Sequence, residues 1–447
     1  MYNNSYGCLR SMDKTDSRQK IYFLAIAVGL IAGLCGAGFH FALDQALVWR
    51  DSLPMMVEHW PIPGWLFTMA IGACMVWLAC YLVRHYAPEA AGSGIQEIEG
   101  VMEGTRPLRW QRVLPVKFVS GWLAIAAGLV LGREGPTVHM GSAVGKMISD
   151  WAGLSRHGAQ SLIAAGAGAG LAAAFNAPIA GIIFIAEEMR RQFEYNFVSL
   201  HSVILACCVA AIVNDVWLTQ GPALPILVDL YPQAIPFDLI LFIVLGIIIG
   251  MFGVLFNRAL IIGLDAMSGF HQDHADATAI LFGAVTGILV WFIPDVTGGG
   301  DKLIETLVRD YLSLGTLVVL LVARTITSVM SYSAGTPGGI FAPLLALGTL
   351  AGLSFGLALQ YLLPGVTSHA VVFAVAAMGA LFSATVRAPV TGIILVAELT
   401  GSYDMLLASA LTCVTASITA QSIGGQPIYS LLLQRTTKSQ ETGSKVT

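Results

Sequence analysis

Charged residues are scarce in this sequence. Of its 447 residues only 11% are Asp, Glu, Lys or Arg, whereas soluble globular proteins carry about 25%. Hydrophobic residues make up 56% of the chain, and the mean hydropathy is +0.75. A shortage of this size excludes an ordinary soluble domain and indicates a membrane protein.

Residue clusters that would hold a metal or drive covalent catalysis are also lacking. The seven cysteines show no metal-type or redox spacing, and no His-Glu-x-x-His segment occurs. The one Gly-x-Ser-x-Gly match, Gly352 to Gly356, lies inside an apolar helical run rather than at a strand-to-helix turn. We therefore expect no enzymatic activity, no metal, no cofactor and no nucleic-acid partner.

Long uncharged runs are what the sequence has instead. No Asp, Glu, Lys or Arg occurs in residues 21–43, 65–83, 239–256 or 340–363. A segment of about 20 apolar residues spans the hydrocarbon core of a membrane, and a spanning segment in lipid is helical. The runs predict an all-α polytopic membrane protein.

Basic residues flank the apolar sequence at both ends. They are Arg10, Lys14, Arg18 and Lys20 before the first run, and Arg435, Lys438 and Lys445 after the last. No Lys or Arg occurs between Arg191 and Arg258, an interval that contains a polar, acidic loop. The positive-inside rule therefore predicts cytoplasmic termini and an external loop.

An internal repeat is the most informative pattern. Gly132-Arg-Glu-Gly-Pro136 matches Gly339-Ile-Phe-Ala-Pro343, and two later glycines match at the same offset. Further on, residues 177–187 match residues 388–398, each beginning with Ala-Pro and ending with Glu. Two blocks in the same order, at nearly the same separation, indicate a duplicated half.

Duplicated halves with Gly- and Pro-interrupted apolar segments are typical of transporters. We predict two inverted-topology repeats with many tilted and broken helices. The predicted boundaries are a cytoplasmic N-terminal tail at 1–20, a first repeat at 21–218, an external linker at 219–236, a second repeat at 237–433 and a cytoplasmic C-terminal tail at 434–447.

Four Gly- or Pro-rich segments interrupt apolar sequence, and each is expected to open a helix. They begin at Gly92, Gly132, Gly335 and Gly424. A helix N-terminus presents unpaired N–H groups and a positive dipole end, which together attract an anion. Several such ends meeting inside the membrane would hold a small anion weakly enough to release it.

These segments resemble the signatures of the CLC chloride channel and transporter family, and most closely its bacterial chloride/proton exchangers. The resemblance rests on Gly92-Ser-Gly-Ile-Gln-Glu97, on the two segments at Gly132 and Gly339, and on Tyr429. It implies that the Ser93 hydroxyl, the Tyr429 phenol and the backbone N–H groups of Ile340 and Phe341 contact a central chloride. A Ser at position 93 goes with a preference for chloride over nitrate.

One departure from the family pattern is Gln96, where the family usually has Pro. Gln lacks the fixed φ of Pro, so the helix start after Ser93 is expected to be less rigid. His139 follows the Gly132 segment; we interpret this lone His as a hydrogen-bonded packing residue. Lys117 is interpreted as a structural charge, and Glu97 as a capping or ion-pairing residue.

Glu134 is a carboxylate at a predicted helix start, where its repeat partner is Phe341. A carboxylate within a membrane is costly and indicates function. Ionised, it can occupy the helix N-termini as a tethered anion; protonated, it leaves room for chloride. We predict that Glu134 is the external gate and proton site, supported by Gly132, Arg133 and Gly135.

Glu188 is a second acid that the repeat does not share. Its repeat partner is Leu399, whereas the neighbouring Glu187 matches Glu398. A shared Glu suggests a shared structural task, and an unshared one a task particular to one half. The resemblance implies that Glu188 transfers protons on the internal side, with Glu187 supporting it.

The sequence therefore predicts an antiporter that exchanges chloride for protons. A gated passive chloride channel is the alternative. The resemblance also implies a homodimer with one pore per subunit, surrounded by lipid in a bacterial inner membrane.

Overall fold

The structure, a computed structural model, describes residues 16–57, 61–189, 196–218, 224, 236–309, 312–364 and 369–444. The described residues are helical apart from connecting segments and two isolated backbone bridges. The first half contains α1 (Arg18–Val57), α2 (Gly64–Tyr86), α3 (Ile95–Glu103), α4 (Trp110–Ala126), α5 (Glu134–Trp151), α6 (Arg156–Phe175), α7 (Pro178–Glu188) and α8 (Phe197–Leu218).

The second half repeats this order of long and short helices. It contains α9 (Pro236–Asp273), α10 (Ala275–Phe292), α11 (Asp301–Arg309), α12 (Leu314–Ser333), α13 (Phe341–Leu362), α14 (Ala370–Val386), α15 (Pro389–Thr400) and α16 (Leu406–Ser422). A final helix, α17 (Ile428–Ser444), has no counterpart. The all-α fold with two inverted repeats is confirmed.

Membrane-crossing helices alternate with shorter ones. Within the described ranges, eight helices are long and apolar enough to span a membrane: α1, α2, α6, α8, α9, α10, α12 and α13. The helices α3, α7, α11 and α15 have only 9 to 12 residues, too few to cross the hydrocarbon core. Within the hydrocarbon core, the end groups of such a short helix need partners from other helices or from a water-filled cavity.

Glycine allows the closest helix contact in the first half. A methyl group on Gly141 would overlap the Gly166 carbonyl oxygen, and one on Gly166 would overlap the Gly141 carbonyl. The helices α5 and α6 therefore touch backbone to backbone. Small residues serve this purpose in membrane proteins.

The two halves meet through repeat-related residues. The N–H of Gly132 donates to the Gly339 carbonyl at 2.8 Å, and the N–H of Gly339 donates to the Gly132 carbonyl at 2.8 Å. Because the repeat pairs these same two glycines, the pseudo-two-fold axis passes between them.

Glu187 and Glu398 form a second reciprocal contact across the axis. The Glu187 carboxylate accepts backbone N–H bonds from Val390 and Thr391 at 3.0 and 2.6 Å. The Glu398 carboxylate accepts them from Ile179 and Ala180 at 3.1 and 2.7 Å. Each acid caps the first turn of the helix in the other half.

The predicted domain boundaries remain predictions. Nearly all of the linker at 219–236 and most of the tail at 1–20 lie outside the described residues. The helix α17 runs across the predicted boundary at residue 434.

Candidate functional site

All four Gly- or Pro-rich segments open a helix, as predicted. The helix α3 follows Gly94, α5 starts at Glu134, α13 starts at Phe341, and α17 starts at Ile428. None of the first three has a side-chain cap. Their first N–H groups therefore remain available to an anion.

Three of these helix starts converge on Gly135. A methyl group at this position would lie 2.8 Å from the Ser93 hydroxyl oxygen and 2.8 Å from the Gly339 Cα. Residues from α5, from the segment before α3 and from the segment before α13 thus meet at one point. Glycine is required there because a larger residue would separate the segments.

Ser93 and Tyr429 place two hydroxyl groups in this centre. Both residues are fully buried, and neither hydroxyl oxygen has a hydrogen-bond partner among the described residues. The Ser93 hydroxyl is a close neighbour of the Tyr429 phenol, although the pair falls short of hydrogen-bond geometry. Two buried donors facing each other without an acceptor can jointly bind an anion.

The ring of Phe341 closes the centre on its apolar side. It lies 4.5 Å from the Phe382 ring, 5.6 Å from the Phe184 ring and 6.5 Å from the Tyr429 ring, measured between centroids. This cluster holds Tyr429 against the start of α13, so its phenol and the first N–H groups of that helix face the same space. Aromatic packing excludes water and strengthens polar interactions there.

Glu134 is fully buried at the start of α5. Neither carboxylate oxygen makes a hydrogen bond of standard geometry, but the N–H groups of Glu134 and Ala342 face it. A methyl group on Gly132 would overlap the carboxylate. The side chain therefore bends over Gly132 toward the start of α13, and Arg133 supplies the nearby positive charge.

Glu188 is the last residue of α7 and is partly buried. The Tyr429 phenol interacts electrostatically with both Glu188 and Glu134. Both acids that the repeat leaves unmatched are therefore within electrostatic range of Tyr429. The structure brings together four predicted residues, Ser93, Glu134, Phe341 and Tyr429, and Glu188 lies within electrostatic range of them through Tyr429.

Lys117 anchors the segment around Ser93, which we call the first-half loop (Gly92–Gly94). Its fully buried ammonium donates to the carbonyls of Ala90 and Gly92 at 2.9 and 2.7 Å. The structural role predicted for Lys117 is confirmed. The predicted pairing of Glu97 is also confirmed, because Arg106 Nε donates to its carboxylate at 2.6 Å.

A counterpart of this loop lies in the second half, and we call it the second-half loop (Gly298–Gly300). The outer glycines have φ of +67° and +114°, matching +61° and +90° at Gly92 and Gly94. Arg324 replaces Lys117 and donates to the Gly298 carbonyl at 2.7 Å. The repeat identified from the sequence did not include these two loops. Gly298–Gly300 could have indicated the match, because it lies at almost the same offset from Gly92–Gly94 as Gly339 lies from Gly132.

The second-half loop borders a cavity of 420 Å³. Its lining includes Arg50, Asp51, Asp301 and Lys302. Asp301 lines this cavity and also interacts electrostatically with Glu134, the predicted gate. Sequence patterns did not single out Asp301, because nothing in its spacing links it to Glu134.

The prediction for His139 was wrong in one respect. The residue is fully buried, but neither ring nitrogen has a hydrogen-bond partner within the described chain. Its ring packs against Gly94, where a methyl group would overlap it. The residue packs as predicted but without hydrogen bonds, because the surface it meets is the Cα of a glycine.

The inverted repeats, the interrupted helices and the buried polar centre between them define an integral membrane protein of the transporter class. The chain belongs to the voltage-gated chloride channel family, because the family model described as "Voltage gated chloride channel" matches residues 75–421. The resemblance drawn from the motifs is thereby confirmed.

Two curated relatives are similar over nearly the whole chain. The H(+)/Cl(-) exchange transporter ClcA of Vibrio cholerae is 46% identical over 436 residues, covering 96% of this chain and 92% of that protein. The transporter of the same name from Cronobacter sakazakii is 43% identical, covering 97% and 93%.

Solved structures of the family share the fold. A slow cyanobacterial Cl-/H+ antiporter superposes with a TM-score of 0.90 at 39% identity, covering 95% of this chain and 99% of that one. A CLC-type fluoride/proton antiporter gives a TM-score of 0.74 at 23% identity, covering 92% and 97%; this second likeness concerns the fold alone.

Proposed function

We propose that this protein exchanges chloride for protons across the membrane. The observation that carries the proposal is the buried centre where two unpartnered hydroxyls, uncapped helix starts and the Glu134 carboxylate converge. The curated relatives are named as exchangers of these two ions, which supports the same conclusion.

Chloride binds between the Ser93 hydroxyl, the Tyr429 phenol and the N–H groups of Ile340 and Phe341. Each contact is a dipole rather than a full positive charge. Lys117, the buried cation of the first-half loop, is instead committed to carbonyl groups. Binding by dipoles is strong enough to replace hydration and weak enough for release.

Glu134 competes with chloride for the helix starts. Its ionised carboxylate faces the Ala342 N–H and acts as a tethered anion. A proton removes that attraction, so chloride can take the place of the carboxylate. Alternating occupancy by chloride and carboxylate couples the two fluxes, because each exchange of the two requires a change of protonation.

Protons reach Glu134 from the internal side through Glu188. The electrostatic link of Tyr429 to both acids supports a route that passes this phenol. Glu187 keeps the end of α7 in place through its bonds to the first turn of α15. The cavity beside Asp301 forms the external approach to the gate.

The protein lies in a bacterial inner membrane as a homodimer with one pore per subunit, and both termini are cytoplasmic. Apolar side chains exposed on α8, α15 and α16 support a protein- or lipid-covered surface there; examples are Ile212, Val390 and Leu407. Exposed patches of this kind mark interaction sites.

Reconstituted vesicles test the exchange against a passive channel. A chloride gradient imposed across the vesicle membrane is expected to drive protons uphill, because one flux cannot proceed without the other. Chloride flux that is never accompanied by proton movement would establish the channel and overturn the proposal. A nitrate gradient serves as a comparison, since Ser93 is expected to favour chloride.

A further inference from the structure

Besides the bond from Lys117 to the Gly92 carbonyl, three further kinds of contact hold the first-half loop. Gly92 is fixed by hydrogen bonds: its N–H donates to the Thr336 carbonyl at 3.1 Å, and its carbonyl accepts from Gly338 N–H at 3.0 Å. The His139 ring packs against Gly94. Between them, the Ser93 N–H donates to the Tyr332 phenol oxygen at 3.2 Å.

The Tyr332 phenol can still donate one hydrogen bond. It is nearly fully buried on α12, and within the described chain the Ser93 N–H is its only hydrogen-bond partner. Its own O–H is thus a donor in need of an acceptor. A buried donor without an acceptor destabilises the folded protein by the full free energy of its desolvation.

Gln96 carries a matching free acceptor. Its side-chain oxygen is buried without a partner. Its amide nitrogen and the Tyr332 phenol oxygen both lie beside Gly92, 3.3 and 3.1 Å from where a methyl group on that glycine would be. A half-turn of the amide exchanges its oxygen and nitrogen with almost no change of shape, which turns the acceptor toward the phenol.

The repeat indicates that this polar surrounding is not a requirement of the fold. In the second-half loop, Gly300 packs against Ala346 as Gly94 packs against His139. By the same register, Gly299 stands in place of Ser93, Lys302 in place of Gln96, and Ile125 in place of Tyr332. The backbone forms equally well without the hydroxyl, the amide and the phenol.

We propose that Gln96 and Tyr332 are positioning residues for chloride selectivity, forming a hydrogen-bonded relay behind Ser93. Gln96 accepts the Tyr332 O–H, and the Tyr332 oxygen accepts the Ser93 N–H. The relay fixes the Ser93 peptide, so the hydroxyl stays directed at Tyr429 and the anion. The inference rests on the proposed role of Ser93 in binding chloride.

A double-mutant cycle tests the relay. Chloride affinity is measured by titration calorimetry on the purified protein, and the chloride-to-nitrate flux ratio is measured in vesicles. Tyr332→Phe is expected to weaken chloride binding about fivefold, equivalent to about 1 kcal/mol, and to lower the flux ratio. Gln96→Leu is expected to have a smaller effect in the same direction.

The double variant with Tyr332→Phe and Gln96→Leu distinguishes a relay from two independent effects. In a relay, the double variant binds chloride no more weakly than Tyr332→Phe, because Gln96 acts only through the phenol. If the two losses of chloride affinity multiply in the double variant, the relay is wrong. It is also wrong if Tyr332→Phe lowers thermal stability and leaves the chloride-to-nitrate flux ratio unchanged. Tyr361→Phe is the matched control, since Tyr361 is 76% exposed on α13.

Ser93→Ala separates this inference from the proposed site. If Ser93→Ala weakens chloride binding and Tyr332→Phe does not, the relay is wrong and the site stands. If Ser93→Ala leaves chloride binding unchanged, the proposed site fails, and the relay fails with it.

Discussion

The first-half and second-half loops have the same backbone and different side chains. Both have glycines with positive φ at their ends, and both have a buried cation bound to loop carbonyls, Lys117 in one and Arg324 in the other. Ser93 stands in the middle of the first loop and Gly299 in the middle of the second. The shared features therefore build the loop, and the unshared hydroxyl is the group that we propose to bind chloride.

The helices α5 and α13 also share a backbone arrangement and differ in a side chain. Both start without a side-chain cap beside the reciprocal Gly132–Gly339 contact. One begins with Glu134 and the other with Phe341. Only α5 therefore carries a titratable side chain at its start, so a change of protonation can act at this helix start and not at its repeat partner.

The gate residue and its repeat partner give the largest expected difference. Glu134→Ala is expected to stop proton transport and make chloride flux insensitive to pH, because the titratable competitor for the helix starts is gone. Phe341→Leu keeps an apolar side chain and should preserve proton coupling. Ion-selective and pH electrodes on vesicles measure both fluxes; coupled proton transport surviving in Glu134→Ala would refute the asymmetry.

The next comparison is between variants of Gly135, which follows Glu134, and of Ala342, which follows Phe341. Gly135→Ala is expected to weaken chloride binding about tenfold, or about 1.4 kcal/mol, because the new methyl group would meet the Ser93 hydroxyl oxygen. Its repeat partner Ala342 already carries a methyl group. Ala342→Gly should therefore leave chloride affinity within about twofold, as measured by calorimetry.

Variants of the two buried cations, Lys117 and Arg324, are expected to differ least in chloride affinity. Lys117→Met and Arg324→Met should each lower the thermal unfolding midpoint by a few degrees, since both leave buried carbonyls without donors. Only Lys117→Met is expected to weaken chloride binding as well, because only its loop carries Ser93. Equal losses of chloride affinity in the two variants would show that the loops are not functionally distinct.

Much of this site could be predicted from the sequence, because the repeat and the helix-opening segments are local patterns. Glu134, Ser93 and Tyr429 lie at helix starts that Gly and Pro mark. The shared task of Glu187 and Glu398 was also visible, although its nature, reciprocal capping across the pseudo-two-fold axis, was not.

The missed residues depend on contacts between distant segments. Tyr332 contacts Ser93, and Asp301 comes within electrostatic range of Glu134, only after the two halves fold together. No spacing along the chain encodes either contact. His139 was expected to be hydrogen-bonded, but it meets a glycine backbone instead.

Simultaneous recording of chloride and proton flux in Glu188→Gln tests whether protons take a route separate from that of chloride. In the proposed mechanism, chloride binds at the Ser93 and Tyr429 hydroxyls beside the helix starts, and protons pass through Glu134 and Glu188, the two acids that the repeat does not share. Chloride transport should therefore continue while proton transport stops, with Glu187→Gln retaining both. Proton transport that persists at its usual ratio to chloride in Glu188→Gln would contradict the account.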